Sequence, residues 1–188
     1  MNWITTLFLG ALFLNLAIEV WLNIRNQFHI GINREKVPQD FSEVVSLEAH
    51  QKAADYSRAK LQLGRLGLFY DAAILWLMTL GGGFQDIYSM WAESGLSQQW
   101  QDVAFLLSTL WILSILHLPF SIMSTFKIEE EYGFNKTTPM KFISDLIKQW
   151  LLMLVLGLPL IWVVLSIMNS FIDQAWWLYT WIVWMAFQ

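Results

Sequence analysis

Long apolar runs alternate with polar segments along this chain, and the lengths of these runs predict helices that cross a membrane. A helix crosses the hydrocarbon core of a bilayer with about 20 residues, because each residue adds about 1.5 Å. Four runs reach that length, and a fifth begins shortly before the sequence stops. We therefore predict an all-α, multi-span helical membrane protein, with four complete transmembrane helices and an incomplete fifth at residues 3–24, 66–84, 103–126, 150–168 and 175–188.

Glycine and proline residues interrupt three of these runs. Gly81–Gly83 is expected to end the second helix, Pro119 predicts a kink in the third, and a Gly157-Leu-Pro159 string interrupts the fourth. The first run is too long for the apolar part of a signal peptide and has no basic start, so we interpret it as a retained span. The fifth run is too short to cross, and the chain is expected to be cut inside a span.

Positive charge is confined to two of the segments between the predicted spans. All 11 lysines and arginines lie in residues 25–65 and 127–149. Under the positive-inside rule both segments are cytoplasmic and the N-terminus lies outside, which in a bacterium means an inner-membrane protein. Tryptophans near the span ends fit an aromatic belt: Trp3, Trp21, Trp100, Trp150, Trp176 and Trp177.

The composition supports a membrane protein and argues against several other functions. Hydrophobic residues make up 56% of the chain and charged residues 14%, and the mean hydropathy is +0.46. The first expected partner is therefore the lipid bilayer, and without a basic tail no nucleic-acid partner is predicted. Cysteine is absent and only three histidines are present, so catalytic metal chemistry is hard to build from this chain alone, and we predict no metal or cofactor in it.

Both basic segments are predicted to be cytosolic helical connectors. Residues 47–63 avoid glycine and proline and are rich in good helix formers, and Asp40 with Glu43 has the spacing of a capping pair. This helix is either a solvated extension of the second span or a surface that docks against a cytosolic domain. In the second connector, Gly133 permits a turn, and Thr138 followed by a proline predicts the start of a helix that leads into the fourth span.

Three ionisable residues lie inside predicted spans, where they are costly and usually face a partner or water. Glu19, Asp71 and His117 all fall in the cytosolic half of their spans. One interpretation is a hydrated chamber that these side chains face. The alternatives are snorkelling of the two carboxylates to the interface, with an interhelical hydrogen bond for His117, or a proton path in half of a transporter. No two of them have a chelating spacing, so a metal site is not expected.

The polar string between the third and fourth spans carries a family resemblance. "IEEEYGFNKTTPMKFISDLIK", followed by the span with Gly157-Leu-Pro159, resembles the integral-membrane zinc proteases of the type I CAAX prenyl endopeptidase family, as does "YSRAK" before the second span. The resemblance implies about seven spans around a water-filled chamber. It also implies a later cytosolic catalytic domain, with His-Glu-x-x-His and a further Glu holding zinc. This chain contains no His-Glu-x-x-His, so the resemblance makes residues 1–188 a single N-terminal membrane domain that is inactive alone.

The resemblance also suggests which residues matter and which partners they meet. It makes Glu130, Phe134, Asn135 and Lys136 candidates for a substrate-access rim or a contact with the catalytic domain, and the alternative is a turn that only fixes the entry to the fourth span. The expected partners are the catalytic domain of the same polypeptide and membrane-associated or lipidated polypeptide substrates. Another possibility is a stand-alone, non-catalytic membrane module that binds or stabilises other proteins.

Overall fold

The structure, a computed structural model, describes residues 2–187. Within these residues every regular element is a helix or a helical turn. This confirms the all-α prediction. The seven helices of this part of the chain are α1 (Trp3–Asn33), α2 (Leu47–Thr79), α3 (Gly83–Ala92), α4 (Gln98–Met123), α5 (Pro139–Leu152), α6 (Leu158–Ser170) and α7 (Trp176–Phe187). A 3-10 turn covers Gln39–Phe41, and two wider, π-helical turns cover Ser124–Glu129 and Met153–Gly157.

Several of these helices are long and apolar enough to cross a membrane. Three continuous helical stretches qualify within the described residues, Trp3–Asn33, Gln98–Glu129 and Pro139–Ser170. Helices α2 and α3 make a fourth when they are counted together as one broken span. The prediction of a multi-span helical protein is thereby supported, and the incomplete fifth run corresponds to α7.

The helices do not end where the apolar runs end, and one predicted boundary is corrected. Helix α1 continues past residue 24 to Asn33, whereas the helix predicted from residue 47 is present and continues into the second span as α2. Charged side chains end an apolar run, but they leave the backbone hydrogen-bond ladder of a helix intact. The hydrophobic pattern therefore located the spans without locating the helix ends.

The glycine run after the second span breaks the helix earlier than predicted. Helix α2 ends at Thr79 instead of continuing to residue 84, and a further helix, α3, starts at Gly83. Gly82 between them has φ +88°, in the left-handed region that only glycine adopts at low cost. The chain uses this glycine to change direction and start a new helix.

The predicted caps of the two helices in the basic segments had opposite outcomes. Asp40 lies inside the 3-10 turn, and it is Ser46 whose Oγ accepts a hydrogen bond from Ala49 N, at 3.2 Å, so the predicted Asp40 capping pair is wrong. Thr138 has extended backbone (φ −80°, ψ 156°), and its Oγ1 accepts from Lys141 N at 3.3 Å, as an N-cap does. The predicted start of α5 is confirmed.

Prolines are accommodated within two of the apolar helices. Helix α4 continues through Pro119. Pro159 follows the wide turn Met153–Gly157. A proline in a helix has no backbone N–H to donate and its ring crowds the preceding turn, which is the position of this wide turn. Wide turns of this kind relieve such local conflicts without ending the helix.

The chain forms two compact units, each with few buried side chains. The first comprises Met1–Met78 with Leu118–Lys136, and the second Thr79–His117 with Thr137–Gln188. Apolar side chains are the main buried groups, and they are Ala54, Leu63, Met78 and Ile128 in the first unit and Val103 and Leu107 in the second. Helix α1 contains no buried residue. An outward apolar surface fits lipid as the solvent, since each helix satisfies its own backbone polar groups.

Tryptophan–serine hydrogen bonds tie helices together in the second unit. Trp91 of α3 donates from Nε1 to Ser108 Oγ of α4 at 2.9 Å, and Trp150 of α5 donates to Ser114 Oγ of α4 at 3.1 Å. Between helices in lipid, packing and polar side-chain contacts of this kind replace the hydrophobic effect as the driving force. They hold α3 and α5 against α4.

Candidate functional site

One face of α2 carries three side chains that contact the segment after α4. Lys52, Tyr56 and Lys60 are spaced by four residues, so they lie above one another on the same side of the helix. We call these three residues the α2 stripe. The segment that they contact includes Ser124 and continues into residues 129–138, which we call the acidic loop. Both lie in the first compact unit as far as Lys136.

Lys60 forms the polar centre of this contact. Its Nζ donates to Glu129 Oε1 at 2.7 Å and to Ser124 Oγ at 2.5 Å, and it lies 5.7 Å from the centre of the Tyr56 ring. Partial burial lowers the pKa of Lys60, but the hydrogen bond and charge of Glu129, helped by Tyr56, outweigh it and raise the pKa overall. The ammonium group is therefore held charged, with two oxygen acceptors and an aromatic ring around it.

Aromatic rings make up the rest of the contact. The Tyr56 ring meets the Tyr132 ring edge-on at 5.6 Å and the Phe134 ring at 4.8 Å, both within the range of favourable aromatic pairs. Lys52 Nζ lies 5.9 Å from the centre of the Phe134 ring. Burial, and then the charge of Glu131, raise the pKa of the Tyr132 phenol. Phe134 is nevertheless 51% exposed, so one side of its ring is open to a partner.

The acidic loop is also ordered by its own backbone. Gly133 has φ +74° and donates to Glu130 O at 3.0 Å, while Phe134 N donates to Glu129 O at 2.8 Å. These two bonds around a left-handed glycine form a Schellman motif, which terminates the helical segment after α4. Asn135 adds a bond from its backbone N to Glu129 O at 3.0 Å and one from Nδ2 to Glu130 Oε2 at 2.8 Å. The predicted turn at Gly133 is confirmed.

The residues predicted for a rim or domain contact thus lie together in one loop. Glu130, Phe134 and Asn135 belong to the ordered turn, and Lys136 follows with an exposed side chain. Glu130, Phe134 and Lys136 are exposed, as a contact surface requires, but the role of the four residues in substrate access stays a prediction.

The three polar residues predicted to face a chamber have exposed side chains. Glu19 of α1 lines a groove of ≈ 290 Å³ together with Asn23, Leu61 and other residues of α1 and α2. Asp71 lies on α2 and His117 on α4. Whether these side chains face a common chamber stays a prediction.

Sequence reasoning did not select the residues that hold the acidic loop. Lys60 is 69 positions from Glu129, and no local rule pairs two residues at that separation. A signal was present in "YSRAK", because the tyrosine and lysine at its ends share a helix face. The family resemblance of this string does not by itself give Lys60 a partner.

A second polar contact links the end of α1 to the start of α2. Arg34 donates from Nε and Nη2 to the two carboxylate oxygens of Asp55, each at 2.8 Å, and also binds Glu35. The Arg34 guanidinium lowers the pKa of the Asp55 carboxyl, and the carboxylates raise the pKa of Arg34. Gln51 Nε2 donates to Glu35 Oε2 at 2.9 Å. Arg34 and Glu35, which follow α1, are therefore both hydrogen-bonded to side chains of α2.

The described part of the chain does not fit a zinc ion. Within residues 2–187 no group of three potential metal ligands comes together. The histidines lie on different helices, with His29 on α1, His50 on α2 and His117 on α4. A catalytic zinc needs three protein ligands around an open position, so no such centre can be built from this donor set.

These features define a multi-span helical membrane domain whose ordered polar surface lies on the loops and helix extensions beside the spans. Residues 26–188 match the family described as CAAX prenyl protease N-terminal, with five membrane helices. The chain therefore belongs to this family, in agreement with the resemblance found in its polar string.

Named relatives and a solved structure extend this similarity. The chain is 30% identical over 159 residues to a CAAX prenyl protease 1 homolog of Oryza sativa subsp. japonica, covering 81% of this chain and 37% of that protein. It is 27% identical over 165 residues to CAAX prenyl protease 1 of Saccharomyces cerevisiae, covering 82% and 36%. The crystal structure of S. mikatae Ste24p superposes with a TM-score of 0.83 at 25% identity, covering 93% of this chain and 42% of that one. The chain thus spans less than half the length of the relatives it matches.

Proposed function

We propose that this chain forms the membrane wall and the substrate-access rim of a zinc metalloendopeptidase that cleaves CAAX-type or other membrane-associated polypeptides. The proposal is supported by the family assignment and by the names of the relatives. The rest of such an enzyme is the catalytic domain, which holds the zinc. Its substrate is a lipidated polypeptide.

The observation that carries the proposal is the exposed aromatic on an ordered loop. A solvated connector needs no fixed shape, but Phe134 is fixed by Tyr56 and Lys52 on one side and by its backbone bond to Glu129 on the other. A half-exposed, immobilised aromatic side chain is typical of a contact surface, since little entropy is lost when a partner covers it. The neighbouring polar groups of Glu130, Asn135 and Lys136 provide donors and acceptors for the same partner.

In this proposal the basic segments and the acidic loop face the cytoplasm. The support is the distribution of the 11 lysines and arginines, which fall on one side of every predicted span. The zinc of the complete enzyme would activate water for attack on a peptide carbonyl. This chain's own contribution would be to position the substrate and the catalytic domain, since no three potential metal ligands come together within residues 2–187.

The coding sequence beyond the codon for Gln188 decides whether an activity assay applies. A frame that continues into His-Glu-x-x-His supports the enzyme, whereas a stop codon there favours the stand-alone membrane module. The complete polypeptide would then be assayed on a farnesylated CAAX peptide. We expect Phe134→Ala, and the pair Asn135→Ala with Lys136→Ala, each to lower kcat/KM about tenfold, as the loss of about 1.4 kcal/mol of contact energy does.

A matched control is Lys148→Ala, which removes an exposed cation of α5 outside the acidic loop. Full activity of the loop variants at normal expression would contradict the rim proposal and leave the simple-turn interpretation. Orientation has its own test, because labelling of Lys136 only from outside intact cells would invert the proposed topology.

A further inference from the structure

A basic groove lies between α1 and α2, next to the predicted ends of the first two spans. It has a volume of ≈ 570 Å³, within the range of ligand sites in proteins. Its lining residues are Ile24, Gln27, Phe28, Gly31 and Ile32 of α1 and Arg58, Gln62 and Arg65 of α2. It does not involve the α2 stripe or the acidic loop, so the proposed function leaves it unexplained.

The α2 side of the groove supplies two cations. Arg58, Gln62 and Arg65 follow the spacing of one helix face. Arg58 Nε is buried without a hydrogen-bond partner among the residues described, and Arg65 donates one bond, from Nη1 to Gln27 Oε1 at 3.1 Å. A guanidinium group carries five N–H donors in a planar fork, so both side chains retain donors for a further acceptor.

The carboxylates near this groove make their hydrogen bonds elsewhere, although the charge of Asp55 also interacts with that of Arg58. Asp55 is the acidic residue one turn before Arg58, and both of its oxygens accept from Arg34. Glu35 accepts from Arg34 and from Gln51, and Glu19 lines the separate groove described above. The two arginines therefore face a groove whose own walls offer amide oxygens but no carboxylate.

The α1 side of the groove supplies an apolar wall. Ile24, Phe28 and Ile32 are spaced by four residues and are 49%, 68% and 61% exposed. Residue 24 ends the first predicted span and residue 66 begins the second, so the groove lies at the level of the lipid headgroups. A free phosphate ion would use only the cations, whereas a phospholipid would cover the apolar wall as well.

We propose that this groove binds an anionic phospholipid, with the phosphate at Arg58 and Arg65 and the start of an acyl chain on the wall formed by Ile24, Phe28 and Ile32. Basic pockets between membrane helices at the cytoplasmic interface bind anionic headgroups in this way. The bound lipid accepts from the remaining guanidinium N–H groups of Arg58 and Arg65 and links the extensions of α1 and α2 at the membrane surface. This inference is independent of any proteolytic activity.

The test is native mass spectrometry of the purified chain, titrated with phosphatidylglycerol or with phosphatidylcholine. We expect the anionic lipid to bind at least about tenfold more tightly than phosphatidylcholine. The pair Arg58→Gln with Arg65→Gln is expected to weaken binding of the anionic lipid about tenfold for each arginine, because each variant loses a hydrogen bond to a charged phosphate. The control pair Lys36→Gln with Lys141→Gln removes the same charge from exposed positions outside the groove. It is expected to leave the affinity unchanged.

Three results would overturn the proposal. They are equal binding of the two lipids, an equal loss in the control pair, and full displacement of phosphatidylglycerol by inorganic phosphate at equal concentration, which would indicate a site for free anions. If the double variant is misfolded by circular dichroism, the single Arg65→Gln variant is measured against Arg65→Lys. The lysine variant keeps the charge and is expected to bind more tightly than the glutamine variant, and the reverse order would contradict the proposal.

Discussion

The Lys60–Glu129 pair is expected to be the strongest single link between α2 and the acidic loop. Replacing Lys60 by Met removes the ammonium group and keeps most of the apolar stem, and Glu129→Gln removes the charge and keeps the shape. Together with the double variant these form a double-mutant cycle, which isolates the energy of the pair from the other contacts of each residue. The Lys148–Asp145 pair of α5 provides the matched control, because it is also a lysine–carboxylate pair.

The expected magnitude follows from how far the two pairs are buried. Lys60 and Glu129 are 33% and 29% exposed, at an N–O distance of 2.7 Å, whereas Lys148 and Asp145 are 72% and 55% exposed, at 3.3 Å. A fully buried pair loses about 3–5 kcal/mol when one partner is removed, and an exposed pair is worth about 0–1 kcal/mol. For the partly buried pair we expect a coupling energy of about 1–2 kcal/mol, and for the control at most about 0.5 kcal/mol.

Thermal unfolding in detergent, followed by tryptophan fluorescence at neutral pH, measures this energy. The pKa of Lys60 is raised in the folded state, so its contribution is complete below the ordinary lysine pKa and is lost as the pH rises through the folded value. Neutral pH therefore captures the whole effect. In a chain of this size about 1 kcal/mol corresponds to about 2–4 °C, so each single variant is expected to lower Tm by about 2–8 °C.

The reasoning would be refuted by additive effects of the two substitutions, or by a coupling no larger than that of the control pair. Either result would mean that the Lys60 ammonium gains nothing from Glu129 beyond what water provides. The acidic loop would then be held by its Schellman motif and aromatic contacts alone.

Three further predictions concern local features. Asp55→Asn should make the fall in Tm between neutral pH and about pH 3 smaller than in the unchanged protein. Arg34 lowers the pKa of Asp55 in the folded state, so the stability that Asp55 contributes is lost as the pH falls through that folded-state pKa. An unchanged pH profile would contradict this. Gly133→Ala should destabilise the protein by about 1–2 kcal/mol, because φ is +74° there, whereas Gly10→Ala, in an open helical position, should not; equal Tm values would refute the strain argument. Thr138→Ala should lower stability by about 1 kcal/mol and Thr138→Ser by much less, as measured by urea unfolding, and equal losses would exclude the cap.

Local chemistry in the sequence predicted local structure well. Thr138 before a proline gave the start of α5, and Gly133 gave the turn, because each depends only on backbone geometry within a few residues. The apolar runs located the spans for the same reason. The prediction of a capping pair at Asp40 was wrong because Ser46 lies closer to the start of α2, and its Oγ accepts the backbone N–H of Ala49 there.

Contacts between distant segments could not be predicted in this way. The α2 stripe meets the acidic loop across 69 positions of sequence, and nothing in the neighbourhood of Lys60 indicates Glu129. The ends of the helices were missed for a related reason, since α1 continues to Asn33 in a polar stretch where hydropathy gives no guidance. The family resemblance drew attention to this loop but did not indicate what holds it.

The 69-residue separation of Lys60 and Glu129 has a consequence for biosynthesis. At about 5–20 residues per second, the ribosome completes Glu129 roughly 3–14 s after Lys60. Throughout that interval the lysine has no acidic acceptor from this loop, and the loop cannot take its final shape until the intervening apolar segments have been delivered to the bilayer. Closure of this ion pair on the nascent chain would therefore mark the moment at which those segments have been threaded through the membrane.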